Sequence, residues 1–226
     1  MLAALPLIAA ALGIGYLGGP LFYALVALAG LIMAHEWLRL TLGPTPSGRK
    51  EPLAAALGLA FILLVALASG WLRGGGADGR ALMIWLLLVV WATDSGAFFV
   101  GRALKGPRLW PRLSPKKTWA GALGGLGVAA LVSIAMGHGV AAAGWTLGVP
   151  SNGALAVAGL LVGLLTEIGD LVESAAKRRY GVKDTGRLIP GHGGLLDRLD
   201  GFSISVLGLA LATLLGVSEC LWMIRG

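Results

Sequence analysis

The chain has 226 residues, of which 57% are hydrophobic and only 13% charged, and its mean hydropathy is +0.83. Apolar runs of about 18 residues, enough to cross roughly 30 Å of hydrocarbon, recur too often for a soluble domain of this size to bury. The net charge of +7 does not indicate nucleic-acid binding, because cytoplasmic loops of membrane proteins collect Lys and Arg, and the single cysteine, Cys220, excludes an intrachain disulfide.

The apolar runs predict an all-α, polytopic integral membrane protein with about seven transmembrane helices, because a helix satisfies its own backbone hydrogen bonds in lipid. In chain order the predicted spans are 2–17, 20–41, 53–72, 81–101, 119–137, 153–176 and 201–224. The first run is short, so the sequence is also compatible with six or eight spans. It lacks a basic N-terminal region, and we interpret it as a retained span rather than a cleaved signal.

The basic residues predict the orientation of these spans. With the amino terminus in the cytoplasm, the loops 42–52, 102–118 and 177–200 lie inside and, together with Arg39 at a span end, hold 15 of the 18 Lys and Arg residues. This asymmetry is what the positive-inside rule requires. It also places the two most polar loops, 102–118 and 177–200, at one membrane face, where they can form a common site.

Acidic residues inside the apolar runs are the first candidates for function, because a charge at membrane depth is costly unless it is paired or faces a wet cavity. Asp94 lies in the fourth span, and Glu167, Asp170 and Glu173 lie in the sixth. At 100° per residue, Glu167, Asp170, Ser174 and Lys177 fall within roughly an 80° arc, which predicts a polar stripe. Gly169 allows close approach of another backbone beside Asp170. By contrast, we interpret Glu36 and Arg39 in the second span as an interfacial i, i+3 pair.

The second candidate is the turn Gly191-His192-Gly193-Gly194, which precedes a helix carrying Asp197 and Asp200 on one face. Backbone N–H groups in such a turn, leading into a helix N-terminus, favour phosphate. Carboxylates beside bound phosphate require a cation, and Mg²⁺ takes one or two carboxylates plus phosphate oxygens. His192 is a candidate general base or, equally, a phosphate contact.

The third candidate is the basic loop 102–118, which ends in Ser114-Pro115-Lys116-Lys117-Thr118-Trp119. A hydroxyl, a turn, two cations and an interfacial aromatic residue at the entry of a span suit an anionic lipid headgroup or a nucleotide phosphate. The three candidates together indicate phosphoryl-type chemistry on a lipid phosphate, a nucleotide or both.

These residues resemble the signature of the phosphatidate cytidylyltransferases, the CDP-diacylglycerol synthases. The pattern Ser, Lys-Arg, Lys-Asp, His-Gly-Gly and Asp-Arg-x-Asp is matched by Ser174, Lys177, Arg178, Lys183, Asp184, His192, Gly193, Gly194, Asp197, Arg198 and Asp200. Further matches are Asp94-Ser95-Gly96-Ala97, Ser114–Trp119 and Gly169-Asp170-Leu171. The resemblance covers roughly 90–201, and it departs from the family at Ala120, where Glu is usual, and at Glu167, where Gln is usual.

The resemblance implies transfer of CMP from CTP to phosphatidic acid in phospholipid biosynthesis, giving CDP-diacylglycerol and pyrophosphate. It implies Mg²⁺, with K⁺ beside it, held by Asp170, Asp197 and Asp200. Lys177 and His192 join these aspartates as catalytic candidates. The implied substrate-binding residues are Asp94, Ser114, Lys116, Lys117, Thr118, Ser174, Arg178, Lys183, Asp184, Gly193, Gly194 and Arg198.

On this interpretation, residues 1–80 form N-terminal transmembrane helices and 81–226 a catalytic transmembrane domain in the inner membrane, with its loops in the cytoplasm. Similar proteins often form homodimers. Three alternatives stay open: a CTP-dependent transferase acting on another lipid, a non-catalytic relative, as Ala120 suggests, and a transporter with Asp94 and Asp170 on an ion path. The absence of an evident repeat argues against the transporter.

Overall fold

A computed structural model describes residues 13, 15–142, 151–186 and 193–216. Six long helices account for most of them, and a short hairpin lies between the third and the fourth. The helices are α1 (Gly19–Leu42), α2 (Pro52–Gly74), α3 (Gly76–Leu104), α4 (Trp119–Ala142), α5 (Asn152–Arg179) and α6 (Leu196–Leu214), and the strands are β1 (Arg108–Trp110) and β2 (Ser114–Thr118).

Five of these helices, α1 to α5, are long and apolar enough to cross a membrane. This confirms a mostly helical, polytopic membrane protein, whereas the count of seven spans stays a prediction. The predicted first span, 2–17, lies almost wholly outside the described residues, as does the end of the predicted last span, 201–224. The helix of this last span begins at Leu196, five residues before its predicted start at 201. The acidic residue Asp197 therefore lies in its first turn.

Helix α3 is central and packs against α2, α4, α5 and α6. Its Trp85 is fully buried, and the indole Nε1 donates to Ser133 Oγ at 3.1 Å, while that hydroxyl donates to the carbonyl of Leu155 at 2.6 Å. The side-chain polar groups of Trp85 and Ser133 are therefore satisfied inside the apolar bundle, as a lipid environment requires. Large leucines such as Leu63 and Leu131 remain exposed on the outside, where acyl chains would cover them.

Glycines allow α3 and α4 to approach closely. A Cβ atom on Gly125 would lie 2.8 Å from the carbonyl oxygen of Thr93, and one on Gly121 would lie 2.8 Å from that of Ala97. Small residues at helix contacts are the usual means of tight packing in membranes, where lipid removes the hydrophobic driving force. The packing fixes the end of α3, which carries Asp94, against the start of α4.

The loop predicted over 102–118 contains the short antiparallel hairpin β1–β2, within a fold that is otherwise helical in the described residues. Arg108 pairs with Thr118 and Trp110 with Ser114, with an irregularity between them. The segment is short, charged and interrupted by prolines, so it lacks the alternating apolar pattern that predicts a strand. Thr118 Oγ1 accepts from the Gly121 N–H at 3.1 Å, which joins the hairpin to the first turn of α4.

Candidate functional site

The polar stripe predicted on α5 forms one side of the site. Glu167 is buried and Asp170 half-buried, and Ser174 Oγ donates to Asp170 Oδ1 at 3.3 Å. The residues lie in the last part of the helix, with Asp170 about 14 Å along the axis from its end at 1.5 Å per residue. The stripe therefore reaches from the loop face into the span.

Lys117, at the end of the hairpin, enters this stripe and contacts two acids. Its Nζ lies 2.5 Å from Glu167 Oε2 and 2.8 Å from Asp170 Oδ2. Burial alone would lower the pKa of Lys117, but the charges of Asp170 and Glu167 outweigh it and raise the pKa above the ordinary value. Lys117 is therefore protonated at neutral pH and anchors the basic hairpin to α5.

Three carboxylates, from Asp170, Glu173 and Asp200, converge at the centre of the site. One oxygen of each lies within 4.8 Å of the others, and we call this group the acid cluster. Asp200 reaches it because α6 crosses α5 at Gly169, where a Cβ atom would lie 2.5 Å from the Asp200 carbonyl oxygen. The close backbone approach predicted at Gly169 is confirmed. Three hard oxygen donors this close together suit a divalent cation such as Mg²⁺.

Asp197 faces a different set of groups. Its Oδ1 lies 2.8 Å from Lys177 Nζ, and its Oδ2 accepts from the N–H groups of Thr185 at 2.9 Å and Gly194 at 2.8 Å. Lys177 in turn lies 2.6 Å from Glu173 Oε2. Asp197 thus orders the loop before α6, and Glu173, not Asp197, completes the acid cluster. A direct role of Asp197 in metal binding stays a prediction.

Glu36 is the functional candidate that the sequence analysis missed. It is buried on α1, and its Oε1 accepts from the Leu195 N–H at 3.0 Å and its Oε2 from the Leu196 N–H at 2.8 Å. The interfacial pair with Arg39 is absent from the ion pairs of the described residues. An acid within an apolar run was the available signal, but Arg39 one turn away offered a simpler interpretation.

The sequence pattern of the cytidylyltransferase family matches residues 46–215. The chain belongs to the cytidylyltransferase family. Three similar proteins are each named phosphatidate cytidylyltransferase: from Brucella suis biovar 1 (44% identity over 78% of this chain and 59% of the relative), Staphylococcus haemolyticus (35%, 76% and 64%) and Bacillus subtilis (45%, 55% and 44%). The match thus covers between 44% and 64% of the length of these three relatives.

The matched cytidylyltransferase segment contains the acid cluster and both basic loops, whereas Glu36 lies outside it. Of the remaining predicted site residues, Thr118 is buried and Ser114 half-buried, while the others in the described part of the chain are exposed at the loop face: Lys116, Arg178, Lys183, Asp184 and Arg198. Asp94 is exposed on α3 within electrostatic reach of Asp170, Asp200 and Lys117. His192 lies outside the described residues.

The glycines of the turn before α6 pack beside carboxylates. Gly193 has a φ of +83°, and a Cβ atom there would lie 2.7 Å from Asp197 Oδ2, while one on Gly194 would lie 2.6 Å from both Glu36 carboxylate oxygens. Only glycine fits the left-handed conformation without strain. The Gly194 N–H already donates to Asp197 Oδ2 at 2.8 Å, and phosphate contact by Gly193 and Gly194 stays a prediction.

Proposed function

We propose that this chain transfers CMP from CTP to phosphatidic acid, giving CDP-diacylglycerol and pyrophosphate. The observation that carries the proposal is the acid cluster of Asp170, Glu173 and Asp200, placed between two basic segments at one end of a membrane bundle. The names of the similar proteins support the same reaction. A lipid phosphate and a nucleotide triphosphate are both anionic, so a site that joins them needs the cations that the two segments supply.

The acid cluster would hold Mg²⁺ through Asp170, Glu173 and Asp200, with Asp197 as a further candidate. Held by these carboxylates, Mg²⁺ would supply Lewis-acid polarisation of a phosphoryl oxygen and would neutralise charge on the leaving pyrophosphate. A second, monovalent cation such as K⁺ beside the Mg²⁺ stays part of the proposal. Carboxylate oxygens are the donors that these hard cations prefer.

The reaction needs little base catalysis, because the phosphate of phosphatidic acid is already an anionic nucleophile. Its oxygen forms a bond to the α-phosphorus of CTP as the bond from that phosphorus to the pyrophosphate oxygen breaks. The protein's task is therefore positioning and charge neutralisation. Lys117 and Lys177 lie inside the site, and the exposed cations Lys116, Arg178, Lys183 and Arg198 surround it at the loop face.

An apolar cavity supports a lipid acceptor. It has a volume of about 360 Å³, lies among α1, α2, α5 and α6, and is lined by residues including Met33, Phe61, Ile62 and Val172. Glu173 and Asp200 of the acid cluster lie at its wall. An acyl chain in this cavity would remain in an apolar environment while its phosphate lay beside the acid cluster.

The test is a label-transfer assay with the purified chain in detergent, phosphatidic acid, radiolabelled CTP and Mg²⁺. We expect label in the lipid phase, lost on chelation and in Asp170→Asn. Glu51→Gln is the matched control, because Glu51 also pairs with a base on α5, Arg179 (Oε1 to Nη2, 2.9 Å), but away from the acid cluster. No label from folded protein would contradict the proposal, and label on a different lipid phosphate would redirect it to another acceptor.

A further inference from the structure

Glu36 is a buried carboxylate on α1 with an exposed fraction of only 5%. Within the described part of the chain, none of the ion pairs involves it. A buried carboxylate is costly unless hydrogen bonds compensate it, so its partners indicate why the fold keeps it. All of those partners lie about 150 residues further along the chain, in the segment that leads into α6.

The carboxylate of Glu36 binds the N-terminus of α6. It accepts from the Leu195 and Leu196 N–H groups at 3.0 and 2.8 Å and is 3.4 Å from the donor Thr185 Oγ1. Two of these donors are among the N–H groups that a helix leaves unsatisfied at its start, and the helix dipole favours a negative charge there. Glycines at 186 and 194 leave room for it, because a Cβ atom on either would lie within 2.6 Å of a Glu36 oxygen.

A chain of contacts links Glu36 to the acid cluster. Thr185 Oγ1 donates to Asp197 Oδ2 at 3.0 Å as well as facing Glu36. The other oxygen of Asp197 pairs with Lys177 at 2.8 Å, and Lys177 pairs with Glu173. In addition, α6 itself, whose first N–H groups Glu36 holds, carries Asp200. Two of the three acids in the acid cluster are thus oriented through groups that Glu36 binds.

We propose that Glu36 is a positioning residue, through which the first described helix fixes the geometry of the acid cluster. The inference rests on the proposed function of that cluster. It makes α1 a required part of the site, although α1 lies outside the segment that matches the family. Among the described residues, no hydrogen bond or ion pair joins Glu36 to the acid cluster; it acts through Thr185 and the start of α6.

The experiment compares Glu36→Gln with Glu51→Gln. Glutamine keeps the size of Glu36 but has one acceptor oxygen, so its NH₂ group would face an N–H donor. We expect Glu36→Gln to lower kcat and to raise the Mg²⁺ concentration for half-maximal activity by about 10-fold each, the range for residues that orient metal ligands. Glu51→Gln should change neither. Thr185→Val is a second variant, with an effect of the same sign that does not add to that of Glu36→Gln.

Two measurements do not depend on turnover. Hydrogen exchange of peptides covering 193–200 should be faster in Glu36→Gln, and Mn²⁺ binding followed by electron paramagnetic resonance should be weaker. Normal kcat and Mg²⁺ dependence in a folded Glu36→Gln protein would overturn the inference, as would unchanged exchange and Mn²⁺ binding. An inactive wild type would instead contradict the proposed function, and the exchange and Mn²⁺ measurements would still decide the role of Glu36.

Discussion

Lys117 lies between two carboxylates, and its replacement should separate stability from activity. Lys117→Met leaves Glu167, whose side chain is 8% exposed, without its partner, and breaking such a buried pair costs about 3 kcal/mol. Adding Glu167→Gln removes the unpaired charge, so we expect the double variant to recover most of the lost thermal stability. The double variant should stay inactive, because the ammonium group of Lys117 beside Asp170 is still missing.

Thermal unfolding in detergent and label transfer measure the two effects. Lys117→Arg, which keeps the charge, is the control and should retain stability. Because the pKa of Lys117 is raised on folding, the stability that its charge contributes is complete below the unfolded-state value of 10.5 and is lost only as pH rises through the higher folded value. Deprotonation of Lys117 should therefore not reduce the difference between wild type and Lys117→Met as pH rises above neutral. A difference that vanishes near pH 8 would contradict this assignment.

Replacing Asp200 should lower activity without lowering stability, unlike the replacement of Lys117. Three acids within 4.8 Å repel one another when no cation is bound. Asp200→Asn relieves this repulsion at constant size, so we expect unchanged or higher thermal stability in chelator. Label transfer should fall at least about 100-fold, as for removal of a preorganised electrostatic group. We expect Mg²⁺ to raise the melting temperature of the wild type but not that of Asp200→Asn. Retained stabilisation by Mg²⁺ would exclude Asp200 from metal binding.

Some site residues could be predicted from the sequence and others could not. The spacing of Glu167, Asp170 and Ser174 predicted a stripe on one helix face, and the structure confirms it because helical geometry is local. Glu36 could not be assigned in this way. Its partners Leu195 and Leu196 are donors through their backbone, which carries no sequence signal, and their proximity to α1 depends on the packing of the whole bundle.

The crossing of α5 and α6 can be tested at Gly169. In Gly169→Ala the new methyl group would lie 2.5 Å from the Asp200 carbonyl oxygen, so the two helices must separate. We expect a loss of about 1–3 kcal/mol in stability, the cost of overpacking, and reduced label transfer because Asp170 and Asp200 move apart. Thermal unfolding and the transfer assay measure both.

Gly127→Ala on α4 is the matched control, since a Cβ atom there has no neighbour within 4 Å. Alanine has the higher helix propensity, so this variant should be as stable as wild type or slightly more stable. If both alanine variants behaved alike, the close crossing at Gly169 would not be what holds the acids together.

The helices themselves were predictable from apolar run length, and α1 to α5 begin and end within a few residues of the predicted spans. The hairpin was not predictable, because its strands are held by side-chain contacts, both within the hairpin and to α5, rather than by an alternating apolar pattern. Arg108 Nη1 donates to the Lys116 carbonyl at 3.2 Å across the hairpin, and Lys117 is fixed by acids on α5. Such tertiary contacts override weak strand propensity.

Across the whole molecule, the predicted cytoplasmic loops meet at one end of the bundle. The loop between α1 and α2 reaches the end of α5 through Glu51 and Arg179, and the hairpin reaches α5 through Lys117. This common face agrees with the alternation of spans that the basic residues predict. The orientation of that face toward the cytoplasm remains a prediction, argued from the positive-inside rule.

Cysteine labelling of intact bacterial cells tests this orientation. In a Cys220→Ser background, Arg112→Cys places a thiol at the exposed turn of the hairpin, and Gly139→Cys places one near the end of α4, at the opposite face, where a Cβ atom has no neighbour within 4 Å. A membrane-impermeant maleimide should label the second in intact cells and the first only after permeabilisation, because the dense positive charge of the loop face opposes its translocation. The reverse pattern would place the acid cluster outside, away from cytoplasmic CTP, and would contradict both the orientation and the proposed reaction.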